Sequence, residues 1–415
     1  MISPRQRPIE NGPQIQTLSH HSGSKMWVAP VTIMVATLLS YIDRQTLAVL
    51  SPTILQDTGL SAGDYADALM AFQIFYMFGN PLWGSVIDFV GLRIGMLCAV
   101  GLWTLASVSH AWVAGFVGFA VARSVLGFGE GGAFPGVLRT ATEALPPNRQ
   151  ARGMALGYSG ASLGAIVTPL VVTPIALKFG WRAAFLVTGG LGALWLVAWT
   201  FIAKPPFLPA ARQAPAKIVW PNLLDRRAWI VMSSFGMGGL ALGVVGYLSP
   251  LYLNRAMGMS QAELGKVVWI PLVGWEIGYF FWGWVGDRFV HKVGDAKRLF
   301  VLMAVLSLTS LVTTLIESPA LVLALFFWAT FVADGYVVLS LRVGSLMYPK
   351  EQTAMIAGIG SGSWSAVLVG VLHFYGQWMD QKWYGLIFVT MSLLPLAGTL
   401  LWIWLSSPWR KPQAA

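Results

Sequence analysis

An all-α membrane protein, with about twelve transmembrane helices in two six-helix bundles, is the fold class this sequence predicts. Three observations predict it. Hydrophobic residues make up 56% of the 415 and charged residues only 11%, and the mean hydropathy of +0.65 is far above that of a water-soluble domain of any size. Apolar runs long enough to cross a bilayer recur along the whole chain between short polar gaps. A Gly-x-x-x-Asp stretch occurs twice, Gly84 with Asp88 and Gly283 with Asp287, half a chain apart, each after an even-numbered run.

Taken in order, the runs place spans near 27–50, 65–87, 94–110, 112–138, 153–177, 183–203, 228–253, 264–285, 299–316, 320–341, 353–378 and 383–405. Residues 1–25 are polar and hold no apolar core of signal-peptide length, so a disordered cytoplasmic tail is expected. An N-terminal bundle then occupies 26–203. The gap 204–227, rich in Pro, Ala and basic residues, reads as a cytoplasmic linker to a C-terminal bundle at 228–406, with a cytoplasmic tail at 407–415.

Orientation follows from the loops. Basic residues crowd one set of gaps, with Arg149, Arg152, Lys204, Arg226, Arg227, Arg288, Lys292, Lys297, Arg298 and Arg410; the other set holds only Lys178, Arg182, Arg255, Lys266 and Lys382. Positive charge stays inside, so both termini are expected to be cytoplasmic, in the cell inner (plasma) membrane. The net charge of +10 is thus a topology signal; no basic arm or basic-aromatic stripe marks a nucleic-acid partner. The single Cys98 excludes an internal disulfide.

Charges inside the spans carry the functional signal. Arg123 and Glu130 both lie in the fourth run, and their spacing of about two helical turns aims them from nearly one face. Such groups need water, a countercharge or a substrate, since lipid would leave them unpaired. The intervening glycines bare the backbone for a close neighbour. Arginine pairs a carboxylate with a two-pronged fork and keeps its charge at any physiological pH, so Arg123 is the first candidate to hold an organic anion. A carboxyl in a partly dry site changes protonation with solvent access and with neighbouring charge, so Glu130 and Asp43 are the proton-coupling candidates. Tyr41 is a further substrate contact. Gln73, Tyr76 and Asn80 make a polar stripe on the second span suited to sugar hydroxyls. The plainer alternative makes Arg123 and Glu130 an ion pair stapling the fourth span to the first.

With two six-span halves, a basic central gap and the Gly-x-x-x-Asp stretch in both halves, the chain resembles the major facilitator superfamily. The first copy has Phe89 where a basic residue is common but keeps Gly91 and Arg93. Three further stretches, Tyr41-Ile42-Asp43-Arg44, Arg123-x6-Glu130-Gly-Gly-Ala-Phe-Pro135 and Gly180-Trp181-Arg182-x2-Phe185, resemble the anion:cation symporter family, which includes hexuronate, galactonate and glucarate carriers. The resemblance implies the same role for Asp43 and Glu130, with Arg44 as partner of Asp43 or as a second anion contact. Asp88, Arg93, Asp287 and Arg288 are expected to be conformational latches at the cytoplasmic face.

The C-terminal half departs from that pattern. Sugar-acid carriers of this kind usually have His-Gln-x-Trp-x-x-Asn in the tenth span, where this chain reads Ala333-Asp334-Gly335-Tyr336-Val337-Val338-Leu339. Glu276, Asp334 and His373 form instead a candidate polar site of this half, while Arg342 sits close enough to a span end to snorkel. Tyr247 and Trp364 are candidate cavity contacts.

The expectation is a proton-coupled symporter importing an organic anion, a sugar acid such as a hexuronate or aldonate, by alternating access. It needs no cofactor or metal beyond the proton gradient, with sodium open as the coupling ion, and works as a monomer. Uptake of an aromatic or other monocarboxylate is the alternative within transport. From another class, a transporter-like sensor would bind ligand without net flux. An enzyme is not expected: there is no metal-ligand cluster or nucleophile motif, and Gly129-Glu130-Gly131-Gly132 lacks the Lys-Ser/Thr of a phosphate loop.

Overall fold

The computed structural model describes residues 25–208, 222, 224–349 and 352–407, and these fold into helices. The expected N-terminal tail up to residue 24, the linker at 209–221 and 223, and the C-terminal tail from 408 lie outside the described residues. Helix is the one open-chain answer to a bilayer, because a spanning segment must satisfy its own N–H and C=O groups.

The first half comprises α1 (Val28–Val49), the short α2 (Ser51–Thr58), α3 (Ala62–Val90), α4 (Leu92–Ser109), α5 (Phe116–Glu130), α6 (Ala133–Ala144), α7 (Pro147–Phe179) and α8 (Trp181–Ile202). The second comprises α9 (Arg226–Met232), α10 (Leu240–Met257), α11 (Gln261–Val267), α12 (Ile270–Phe289), α13 (Ala296–Ser307), α14 (Pro319–Met347), α15 (Thr353–Asp380) and α16 (Tyr384–Ser406). A π turn, Ser233–Met237, lies between α9 and α10, and a 3-10 stretch, Leu308–Leu315, extends α13.

Among the described residues nine helices are long and apolar enough to cross a membrane by themselves. The second, fourth and eighth expected spans fall short. Helix α3 carries Gln73, Tyr76 and Asn80, α12 carries Glu276, and the fourth span is divided into α5 and α6. Polarity at membrane depth therefore marks the same segments that hold the candidate site.

The division of the fourth span corrects the continuous run at 112–138. Residues 112–115 are irregular, and the helix stops at Glu130 and restarts at Ala133. Gly131 packs so tightly on α3 that a Cβ there would stand 2.6 Å from the Asn80 nitrogen. Close approach sets the rest of the packing too. A Cβ on Gly127 of α5 would lie 2.3 Å from the Phe72 carbonyl oxygen of α3, and one on Gly278 of α12 would lie 2.7 Å from the Phe331 carbonyl oxygen of α14. Small residues let backbones meet where lipid supplies no hydrophobic drive.

The halves repeat one another beyond the Gly-x-x-x-Asp stretch. Gly59 and Gly258 close α2 and α10 with φ of 71° and 69°. Ser61 with Asp64 and Ser260 with Glu263 then form capping boxes that start α3 and α11. Trp83 donates its indole N–H to the Phe128 carbonyl at 2.8 Å, and Trp282 does the same to Phe331 at 2.9 Å.

The Gly180-Trp181-Arg182 stretch has a structural task. Trp181 Nε1 and Arg182 Nη1 both donate to Asp57 Oδ2, at 2.9 and 2.8 Å, tying the start of α8 to the end of α2. The Arg182 guanidinium lies over the Trp181 ring at 4.1 Å.

Two outcomes follow from this packing. Gly127→Ala is expected to lower the thermal unfolding midpoint of the purified protein, by about 1–3 kcal/mol of overpacking, whereas Gly190→Ala, with open space around it, leaves the midpoint unchanged. Hydrogen bonds from Trp181 and Arg182 hold the Asp57 carboxyl below its ordinary range. Its contribution is therefore fully present above the unfolded value, about 3.9, and disappears as pH falls through the lower folded value. Asp57→Asn is expected to lower the midpoint at neutral pH and to remove this part of the acid sensitivity in a pH series of melts.

Candidate substrate and ion site

Side-chain hydrogen bonds and ion pairs crossing between the halves, among the described residues, all lie from mid-molecule to the end away from Lys25 and Ser407. Thr53 bonds Gln261, Gln261 reaches the Val49 carbonyl, and Tyr65 Oη donates to the Tyr247 carbonyl at 2.6 Å. Asp380 accepts from the Ala62 and Gly63 amides at the start of α3 while pairing with Arg255 at 2.9 Å. His373 Nδ1 meets Asp67 Oδ1 at 2.8 Å. The deepest of these ties is Gln73, which donates to Tyr247 Oη and accepts from Ser365, both at 3.0 Å. That end of the molecule is shut.

Beneath this seal lies a cluster of four charges. Arg44 Nη2 and Nε reach Glu130 Oε2 at 2.8 and 2.9 Å, and the two side chains are 2% and 0% exposed. Tyr41, Phe72 and Tyr76 surround the guanidinium with ring centroids at 4.4, 4.8 and 4.5 Å from its carbon. Cation-π attraction is strongest where water is absent, so the cage and the ion pair reinforce one another. Arg123, fully buried, donates through Nη1 to the Arg44 carbonyl at 3.1 Å, while its Nε and Nη2 have no partner. Asp43 Oδ1 accepts from Ser107 at 2.6 Å, and Asp43 Oδ2 and Glu130 Oε1 are bare. The charges of Asp43, Glu130 and Arg123 act on one another.

The expected pairings are corrected here. Arg123 and Glu130 share a face of α5, yet Glu130 takes Arg44 of α1 as its partner. Adjacent residues on a helix project about 100° apart, which turns Asp43 toward Ser107 of α4 and Arg44 toward α5. Arg44 is accordingly the partner of Glu130 and not of Asp43.

The other candidates divide. Tyr41, Gln73, Tyr76 and Tyr247 border the cluster. Asn80 spends its amide on the Tyr76 carbonyl, and Trp364 donates to the Gly239 carbonyl at 3.0 Å. Glu276 and Asp334 are electrostatic neighbours, but His373 is not with them: it bridges to Asp67 of the other half and to Gln377. Of the four latch residues, Asp88 pairs with Arg139 of α6 at 3.5 Å and Arg93 reaches the Thr200 carbonyl at 3.5 Å. Asp287 and Arg288 are exposed, with no ion-pair partner among the described residues.

Sequence reasoning missed Phe72, Tyr65 and Ser107. The α3 stripe Tyr65, Leu69, Phe72, Tyr76 at steps of three and four was legible and would have yielded the first two. Ser107 carried no signal, because a hydroxyl that bonds its own helix backbone is common in spans.

A helical bundle of about twelve spans with two related halves and a buried charged cluster within the first of them defines a multi-pass membrane transporter. A family model described as Major Facilitator Superfamily matches residues 33–372, and the chain belongs to that superfamily. Among its relatives are a hexuronate transporter of Escherichia coli (strain K12), 24% identical over 91% of this chain and 93% of its own length, and a galacturonate transporter of Dickeya chrysanthemi, 24% identical over 72% and 93%. A D-galactonate transporter of Escherichia coli O6:H1 is 23% identical over 92% and 95%. A solved structure of a bacterial homolog to the human lysosomal transporter Spinster, in an inward-facing and occupied conformation, superposes with a TM-score of 0.80 at 13% identity, covering 93% of this chain and 98% of that one. That likeness concerns the fold alone.

Arg44→Lys tests the caged pair: an ammonium keeps the charge but neither forks nor stacks. The expected result is a lower unfolding midpoint than wild type, with Glu130→Gln in the same background adding less than it does alone, as a double-mutant cycle of a coupled pair requires.

Proposed function

We propose that this transporter imports an organic anion of the sugar-acid class, a hexuronate or aldonate, together with protons, by alternating access in a bacterial inner membrane. The observation that carries this reading is the charge balance of the sealed cluster. Arg44 and Arg123 against Asp43 and Glu130 sum to zero when all are ionised, so an arriving carboxylate would leave an uncompensated negative charge at membrane depth. Protonation of one acid restores neutrality and frees an arginine fork for the substrate. Arg123 is the docking group, since its Nε and Nη2 are bare. Glu130 is the acid whose protonation releases Arg44, and Asp43 is a second proton carrier beside it. Gln73 and Tyr247 supply hydroxyl contacts and link the substrate to the seal between the halves.

The names of the relatives support the substrate class. Loop charge supports cytoplasmic termini, which makes the sealed end the outer one and this conformation closed to the outside. The charged cluster itself is closed to solvent, so substrate meets it only after the halves move, as alternating access demands. One observation favours an aromatic acid as second reading: Tyr41 and Trp275, one from each half, bring their rings to 5.8 Å beside Arg44.

The test is uptake of labelled D-glucuronate into proteoliposomes under an inward proton gradient. Accumulation is expected in wild type, with Arg123→Ala abolishing it through loss of a buried ionic contact of roughly 2–5 kcal/mol. Glu130→Gln is expected to stop pH-driven accumulation while counter-exchange survives. Undiminished pH-driven uptake by Glu130→Gln overturns the coupling assignment; competition by aromatic acids in place of sugar acids selects the second reading; binding without flux selects a sensor.

A further inference from the structure

The seam between α3 and α15 holds an ionisable pair that the cluster around Arg44 does not use. His373 Nδ1 meets Asp67 Oδ1 at 2.8 Å, one residue from each half, and His373 Nε2 meets Gln377 Nε2 at 2.9 Å. Contacts of the same two helices bracket the pair. Nearer the sealed end, a Cβ on Gly376 of α15 would stand 2.8 Å from the Ala62 carbonyl oxygen, and nearer mid-membrane Ser365 bonds Gln73. The halves cannot part at this end without separating Asp67 from His373.

The hydrogen bonds fix where the ring carries its proton. An amide nitrogen only donates, so the contact with Gln377 requires His373 Nε2 to accept and to be bare of a proton. Nδ1 then holds the one ring proton and donates it to Asp67. The open position is Nε2, on the side of exposed Gln377, one turn nearer the sealed end. Access distinguishes this pair from the buried cluster: His373 and Asp67 are 44% and 26% exposed, against 2% and 0% for Arg44 and Glu130.

No other charge competes for the ring among the described residues. On α3, Asp64 is bonded to Ser61, Tyr65 to the Tyr247 carbonyl, and Tyr76 faces Arg44, while Asp88 and Glu143 pair with Arg139 of α6 at the opposite end. On α15, Asp380 holds Arg255 of α10, and Tyr375 bonds Thr390 of α16. Also on α10, Tyr247 is bonded to Gln73 and Tyr252 packs on Tyr384 of α16. From α5, Arg123 and Glu130 both engage Arg44, and from α2 Asp57 holds Arg182. On α4, His110 bonds the Ala106 carbonyl and Arg93 reaches the Thr200 carbonyl. On α14, Asp334 lies against Gly278 of α12, Tyr336 meets Thr399, and Arg342 serves the Val290 carbonyl. From α9, Arg226 serves the Trp404 carbonyl and Arg227 pairs with Asp225, and the π turn bears no titratable group.

We propose that Asp67, His373 and Gln377 form a proton-operated clasp that locks the sealed end of the transporter. A proton taken up at Nε2 makes the ring a cation and turns its contact with Asp67 into an ion pair. Gln377 receives that proton by rotating its amide, so that the oxygen replaces the nitrogen beside the ring. Pulling an imidazolium from a carboxylate at the membrane leaves two charges without partners, whereas pulling a neutral ring away leaves one. Acid at this end therefore favours closure. That the end faces outward rests on the orientation proposed from loop charge, but the clasp itself does not.

Distance measurements between spin labels on the purified protein, without substrate, test the clasp. Exposed Lys178 and Gln381, one from each half at the sealed end, are replaced by labelled cysteines in a Cys98→Ser background. Wild type is expected to show its closed-to-open ratio rising roughly tenfold from about pH 8 to about pH 5. His373→Gln and Asp67→Asn, neither able to form the ion pair, are expected to lose that rise, and His373→Lys, which keeps a cation beside Asp67, is expected to stay closed at both values. A wild-type protein that does not respond, or a full response surviving in both His373→Gln and Asp67→Asn, overturns the proposal. Because no substrate is present, the result stands apart from whether the protein moves a sugar acid.

Discussion

An arginine and a glutamate hidden from water at the middle of a membrane bundle constrain everything around them. Removing both ions from solvent costs several kcal/mol each, repaid only by good geometry and by satisfying the remaining hydrogens and lone pairs. Arg44 and Glu130 meet this demand with a fork closed on one carboxylate oxygen and three aromatic faces around the guanidinium. The arrangement in turn requires α5 to lie close against α3, and Gly127 and Gly131 make that approach possible. Glycine in these spans is therefore part of the electrostatics as much as of the packing.

Incomplete satisfaction within the same cluster gives it work to do. Four of the seven side-chain nitrogens and oxygens of Arg123, Asp43 and Glu130 remain bare, a costly condition in a static core and a useful one in a site that exchanges partners. The seal above the cluster shares residues with it: Gln73 touches both halves through Tyr247 and Ser365. Gln73 on α3 and its two partners from the other half thus tie the two bundles together beside the cluster.

The two halves share a scaffold and differ in charge. Matching tryptophan, glycine and capping contacts show that the backbone plan was duplicated, whereas the electrostatic content was not: arginines accompany the acids in the first half, and acids stand without them in the second.

Much of this was legible before any coordinates. Long apolar runs admit only helices in a bilayer, so the spans followed from hydropathy, and Arg123, Glu130, Asp43 and Arg44 stood out because a charge at membrane depth needs a reason. Partners were not legible. Which acid Arg44 chooses depends on how α1 is rotated and where α5 crosses it, and neither is encoded in spacing along one helix. The same holds for His373, which chain position set beside Glu276 and Asp334 but which packing of α15 on α3 sends to Asp67. Local periodicity places a side chain on a face; only the crossing of helices distant in the chain decides what that face meets.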